Sequence, residues 1–119
     1  NGCFFLHQTN YKGISFSIYK QEIKFVVAKN LVTVQGGMFC RCQKLELVYM
    51  PNVEQIEDGF DGNYSGAFKS SNLSTICFPK LQYVGSRAFS KCKLLRTVDL
   101  PKGERFGDFC FYGCSFARL

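Results

Sequence analysis

A repeat solenoid is the fold class that the sequence predicts, and three observations predict it. The first is a gapless match between residues 38–51, MFCRCQKLELVYMP, and residues 88–101, AFSKCKLLRTVDLP. It sets Phe39 with Phe89, Cys42 with Cys92, Leu45 with Leu95, Val48 with Val98, Met50 with Leu100 and Pro51 with Pro101. The second is a partial copy at residues 67–79, AFKSSNLSTICFP, which falls into register at Ile76, Phe78 and Pro79 once one missing residue before Leu73 is allowed for. The third is the period: Phe68 to Phe89 is 21 residues and Phe89 to Phe111 is 22. Self-similarity at a fixed period of this order marks units that cannot bury their apolar face alone and stack on one another.

Each unit has a second half. Behind the Pro, or behind Ala28 where Pro is missing, stands a pair of positions three apart: Leu31 with Val34, Val53 with Ile56, Leu81 with Val84, Gly103 with Phe106. An aromatic follows each pair, at Phe39, Phe68, Phe89 and Phe111, the second delayed by an insertion of seven residues. The pattern L-x-x-[IV]-x-[LFM]-P, then V-x-x-I, then A-F-x-x-C resembles the BspA-like type of leucine-rich repeat over about residues 23–117. That resemblance implies a right-handed leucine-rich repeat superhelix, with a parallel β-sheet on the concave face and short strands, turns and 3₁₀ segments on the convex side. It also implies adhesion or partner binding, because such repeats occur in surface and secreted proteins of some bacteria and parasitic protists.

Taken in order, residues 1–27 form an irregular first repeat, in which FSIYKQEIKFVVA alternates enough for one or two strands. The strand of each full repeat sits at L-x-x-[IV]-x-[LFM], its apolar positions pointing inward and the intervening ones onto the concave face. Those intervening residues are Glu46, Leu47 and Tyr49, then Ser74, Thr75 and Cys77, then Arg96, Thr97 and Asp99, and they are the expected partner-binding columns. The insertion, residues 60–66, FDGNYSG, has turn chemistry. Its Phe60, Asp61, Asn63 and Tyr64 are a candidate side contact, since insertions in repeats map to loops. The whole of 1–119 is expected to be one leucine-rich repeat domain of four to five repeats, both ends falling inside a repeat, so that neighbouring subunits at uncapped ends are candidate partners.

Seven cysteines admit three readings: disulfides, a metal site or buried thiols. Cys3, Cys42, Cys92 and Cys114 each precede an aliphatic residue or Ala by three positions and are expected to fill one slot in successive rungs. In leucine-rich repeats that slot takes a small, buried, weakly polar residue, as a free Cys is, and a hydroxyl there is expected to destabilise. No metal is expected, because Cys40-Arg41-Cys42, or Cys110 and Cys114 with His7, lack the paired spacing of structural zinc sites. Disulfides between rungs stay open, since parallel strands bring equivalent positions within bonding range. The sequons Asn63-Tyr64-Ser65 and Asn72-Leu73-Ser74 make Asn63 and Asn72 candidate N-glycosylation sites.

The formal charge of +6 is unevenly placed. Glu46, Glu54, Glu57, Asp58 and Asp61 form an acidic segment, and Lys69, Lys80, Arg87, Lys91, Lys93, Arg96, Lys102 and Arg105 a basic later half, expected to scatter over different faces. Without a continuous stripe to track phosphates, nucleic acid is not the expected partner. No apolar run approaches the roughly 20 residues of a membrane span. Nothing resembles a nucleophile elbow, a phosphate loop or a catalytic dyad, so neither enzyme activity nor a cofactor is expected. The functional expectation is a non-enzymatic protein-recognition or adhesion module of a cell-surface or secreted protein. The alternative is a cytoplasmic scaffold using the same repeat surface.

Overall fold

From the second turn on, the chain lays down one strand on a front face and a shorter one on a back face, while the first turn adds a front strand alone. The computed structural model describes residues 1–59 and 65–115. On the front lie β1 (Cys3–Phe5), β2 (Phe25–Val27), β4 (Leu47–Tyr49), β6 (Thr75–Cys77) and β8 (Thr97–Asp99). On the back lie β3 (Thr33–Val34), β5 (Gln55–Ile56), β7 (Tyr83–Val84) and β9 (Arg105–Phe106). All pairings are parallel: the back sheet runs β3-β5-β7-β9 without a break, while the front divides into β1-β2-β4 and β6-β8. The result is a β-solenoid of about four turns. Between the first two front strands, Ser17–Tyr19 makes a 3₁₀ turn, so the alternating stretch after Phe16 yields one strand, at Phe25–Val27.

The strands are short because each is followed by the geometry that ends it. Met50, Phe78 and Leu100 end the front apolar pattern, and Pro51, Pro79 and Pro101, lacking an N–H, cannot extend the ladder. Within a strand only the middle residue faces in: Val26, Val48 and Ile76 are buried while their neighbours are exposed or half-buried. The paired positions behind the Pro bury Leu31 and Val34, Val53 and Ile56, Leu81 and Val84. These columns make one continuous core.

Its spine is a stack of five aromatic rings. Phe16, Phe39, Phe68, Phe89 and Phe111 follow one another with centroids 5.4, 5.4, 5.2 and 5.6 Å apart and planes within 14° of parallel. Offset stacking of this kind adds about 0.5–1.5 kcal/mol per pair to the burial of each ring. Phe78 leans against Phe68 and Phe89 from the front-strand side, at 6.3 and 6.2 Å. Phe16 extends the stack one rung further than the repeat pattern indicates. Beside it, Tyr11 is buried and its hydroxyl accepts from the amides of His7 and Gln8, closing the irregular first turn.

In the third rung the chain on either side of residues 60–64 meets at one point. A side chain on Gly59 would stand 2.9 Å from the Ser65 carbonyl carbon, so the two ends of the loop touch. Asp58, just before it, accepts from the Tyr83 hydroxyl and from the Ser86 amide of the next rung, and Gly59 N donates to Ser86 O at 3.2 Å. Just behind, Gly66 passes so close to Arg87 that a Cβ would lie 1.6 Å from its carbonyl oxygen. Only glycine fits there.

Candidate recognition face

The front sheet lines up its outward side chains in columns. Register sets Cys3 beside Phe25 and Leu47, and Phe5 beside Val27 and Tyr49. Further along, Thr75 pairs with Thr97 and Cys77 with Asp99. Lys24, Glu46, Ser74 and Arg96 form a third column just ahead of the strands. Glu46, Leu47, Tyr49, Ser74, Thr75, Cys77, Arg96, Thr97 and Asp99 are all exposed.

The columns change character along the solenoid. Over β1, β2 and β4 the face is apolar: Phe5, Leu47 and Tyr49 are 62%, 52% and 53% exposed, with half-buried Phe25 and Val27 between them. Over β6 and β8 it is polar, with Thr75, Thr97 and Asp99, and Cys77 Sγ donates to Asp99 Oδ2 at 3.5 Å. Desolvation and this bond to a carboxylate push the Cys77 thiol above its ordinary range. Phe5, Phe25 and Val27 belong to the same surface although the repeat motif does not point to them, because the first two rungs depart from it. Asn72 is exposed just ahead of β6. Phe60, Asp61, Asn63 and Tyr64 lie outside the described residues.

The cysteines divide by position. All seven are free thiols. Cys92 Sγ donates to Phe68 O at 3.2 Å and Cys114 Sγ to Phe89 O at 3.1 Å, each reaching the aromatic of the preceding rung, and Cys42 Sγ does the same to Phe16 O at 3.9 Å. Burial pushes Cys42 and Cys114 up to about 11 and raises Cys92, so none is a reactive thiolate at neutral pH. Cys3 does not stand in this column, although it precedes Leu6 by three positions as the other members precede theirs. It opens β1 opposite Phe25, because Phe4 seats against Val26 as a strand residue and so carries Cys3 onto the front face. The column's missing member is Ser71, buried in the third rung, with Oγ 3.3 Å from Cys92 Sγ. The slot therefore supplies hydrogen-bond partners for a hydroxyl as well as for a thiol, whereas the sequence leads to the expectation that a hydroxyl goes unsatisfied there.

Of the eight basic residues of the later half, four do not scatter but meet at the turn edge that carries the aromatic stack, while Arg96 stands on the front face. Lys69, Arg87, Lys91 and Lys93 gather there around two adjoining cavities. The backbone is strained at this edge. Arg41, Ser70 and Lys91 have φ of 62°, 62° and 58° in the slot that Gly113 fills at 80°. Arg87 and Phe109, both at 60°, occupy a second left-handed slot, filled by Gly37 at 76°. An L side chain in that conformation costs about 1–2 kcal/mol, which glycine avoids.

Comparison with known proteins matches this arrangement. The family model described as BspA type leucine rich repeat region (6 copies) matches residues 7–65 and 63–119. Among solved structures, a leucine-rich repeat protein from Bacteroides ovatus superposes with a TM-score of 0.70 at 21% identity, covering 95% of this chain. The chain spans 29% of that protein's length, and at this identity the likeness is one of fold. No curated protein matches.

Proposed function

The chain belongs to the BspA-type leucine-rich repeat family, and from that premise we propose that it is a non-enzymatic recognition module docking a protein partner on its front face. The observation that carries this reading is the pair of outward columns freed from the core, apolar at Phe5, Leu47 and Tyr49 and polar at Thr75, Thr97 and Asp99. Contiguous exposed apolar surface rimmed by polar groups is characteristic of docking sites. Tyr and Arg are the residue types that most often carry binding energy, so Tyr49 anchors and Arg96 orients. Parallel solenoid sheets offer such surfaces as extended platforms. The family's usual setting supports a surface or secreted adhesion role. No helix among the described residues is long and apolar enough to cross a membrane.

A second reading, an intracellular scaffold, is favoured by the thiol column, since Cys92 and Cys114 each use S–H as a donor to a carbonyl. Alkylation of the denatured, unreduced protein separates the two. Seven modified thiols support a reducing compartment, and fewer support an oxidising one.

The docking test compares three changes against a partner recovered with the native protein: Tyr49→Ala, Arg96→Ala and deletion of residues 60–64. That deletion spares Ser65 and Gly66, and the contact between Gly59 and Ser65 lets the chain close across it. Loss of binding by at least about tenfold in Tyr49→Ala is expected. Normal binding in both point variants, with loss in the deletion, would move the site to the insertion.

A further inference from the structure

The turn edge holds a surface that front-face docking leaves unused. A cavity of about 340 Å³ opens there, lined by Lys69, Arg87, Ser90, Lys91, Phe109 and Tyr112. A second, of about 420 Å³, shares Lys91 with it and is lined also by Lys93 and by the uncharged Gln43, Ser70, Ser71 and Asn72. Each is within the size range of small-ligand sites. Among the described residues no carboxylate lines either one. Lys69 is the centre of this arrangement, only 8% exposed as a residue yet lining the first cavity. Burial holds its ammonium below the ordinary lysine range, and Arg41, Lys91 and Arg87 press it in the same direction.

We propose that this edge binds an anionic oligosaccharide, with sulfate groups seated on Lys69 and Lys91 and a sugar ring lying against Phe109 and Tyr112. Arg41 and Lys91 press on the buried Lys69 ammonium with like charge, and a multiply charged oxyanion placed between Lys69 and Lys91 removes that repulsion and pairs the two lysines at once. Lone inorganic anions would have no use for the rest of the site. Phe109 and Tyr112 stand edge to face at 5.7 Å, both more than half exposed, and the Arg87 guanidinium lies 4.8 Å over the Phe109 ring. Exposed rings beside cations suit a ligand that alternates apolar ring faces with negative groups. The amide and hydroxyl groups of Gln43, Ser70 and Asn72 suit sugar hydroxyls, and Lys91 between the cavities places a charge where two consecutive rings join. The backbone points the same way: Ser70, Arg87, Lys91 and Phe109, which line the two cavities, hold left-handed slots that glycine fills elsewhere in this chain, and strain kept at one cluster marks a site where the side chains are wanted.

The experiment is calorimetric titration of the folded chain with a fully sulfated heparin octasaccharide, its desulfated counterpart, inorganic sulfate and a single-stranded oligodeoxynucleotide of matched charge. The sulfated octasaccharide is expected to bind, losing at least about tenfold in affinity between about 50 and about 200 mM salt. The desulfated sugar is expected not to bind. Lys91→Gln and Lys69→Gln are each expected to weaken the octasaccharide by about tenfold, with Lys102→Gln unchanged. Lys91 is exposed, so its variant keeps the test decisive should the change at buried Lys69 unfold the chain. Tyr112→Ala is expected to weaken the octasaccharide and leave inorganic sulfate unaffected. No binding at low salt, or equal binding by Lys91→Gln and Lys102→Gln, would overturn the site. Tighter, equally Lys91-dependent binding of the oligonucleotide would overturn the saccharide assignment.

Discussion

The two sheets meet the same irregular rung with opposite results. The back sheet passes from β5 to β7 in register, Gln55 to Tyr83 and Ile56 to Val84, although the seven-residue insertion lies between them in sequence. The front sheet stops between β4 and β6, strands that lie side by side but do not pair. The back sheet is undisturbed because Gly59 and Ser65, on either side of residues 60–64, meet, and closing a longer loop costs little. The front break traces to one absent residue. Phe68 to Leu73 is five residues, where Phe39 to Leu45 and Phe89 to Leu95 are six. Regular rungs send Glu46 N to Lys24 O and Arg96 N to Ser74 O, whereas the short rung sends Asn72 N to Leu45 O. A solenoid tolerates added length at its edge far better than a one-residue shortfall inside the rung: β6 keeps the inward and outward faces of β4, but the shortened turn commits the Asn72 amide to Leu45 O ahead of the strand.

What both sheets share is the ring stack, so the largest effect comes from cutting it. Phe68→Ala removes a fully buried ring stacked on Phe39 and Phe89 and should cost about 3–5 kcal/mol in urea unfolding. A loss under about 1 kcal/mol would show that the stack does not bear the load. Gly66→Ala, which drives a methyl into the Arg87 carbonyl, should cost about 1–3 kcal/mol, and neutrality would show that the loop's return path is loose. In the front rungs, Cys92→Ser should change stability by less than about 1 kcal/mol, because Phe68 O accepts the new hydroxyl and Ser71 already occupies the same column. Cys92→Ala, which deletes that donor, should be the more costly of the two.

The smallest effect is in alkali. Cys42 and Cys114 are held protonated to about 11 by burial, against an ordinary 9.0. Between these values each thiol binds more protons in the folded chain than in the unfolded one, so their contribution to stability is constant below about pH 9 and declines above it. Cys40, Cys92, Cys110 and Tyr83 are shifted the same way, the last by its bond to Asp58. Lys69, shifted down, opposes them in alkali, whereas Asp58, also shifted down, acts only in acid. Urea midpoints that rise from about pH 8 to about pH 10 would contradict the buried thiols.

The stack from Phe39 to Phe111 and the outward columns of β4, β6 and β8 were legible because they repeat. A position that recurs every rung is recognised by its copies, and exposed positions stand out as those the copies leave free. Phe16, Tyr11 and the strand at Cys3–Phe5 were not legible, since the first rung keeps the period but not the motif. There Gly2 and Cys3 imitate the turn while the backbone uses them for a strand. The joining of Lys69, Arg87 and Lys91 was hidden for another reason: they sit at different offsets from the ring, and only the winding of the chain brings those offsets to one edge.

The division of labour between the sheets is tested most directly by native-state hydrogen exchange, residue by residue. Leu47 and Thr97 donate to Lys24 O and Ser74 O, and Tyr83 to Glu54 O across the insertion, while among the described residues Thr75 and Cys77 make no equivalent bond to β4. The amides of Leu47, Thr97 and Tyr83 are predicted to exchange close to the global unfolding limit, and those of Thr75 and Cys77 at least about a hundredfold faster through local opening. Equal protection of Thr75 and Thr97 would mean that the front sheet is continuous and that one missing residue does not divide it.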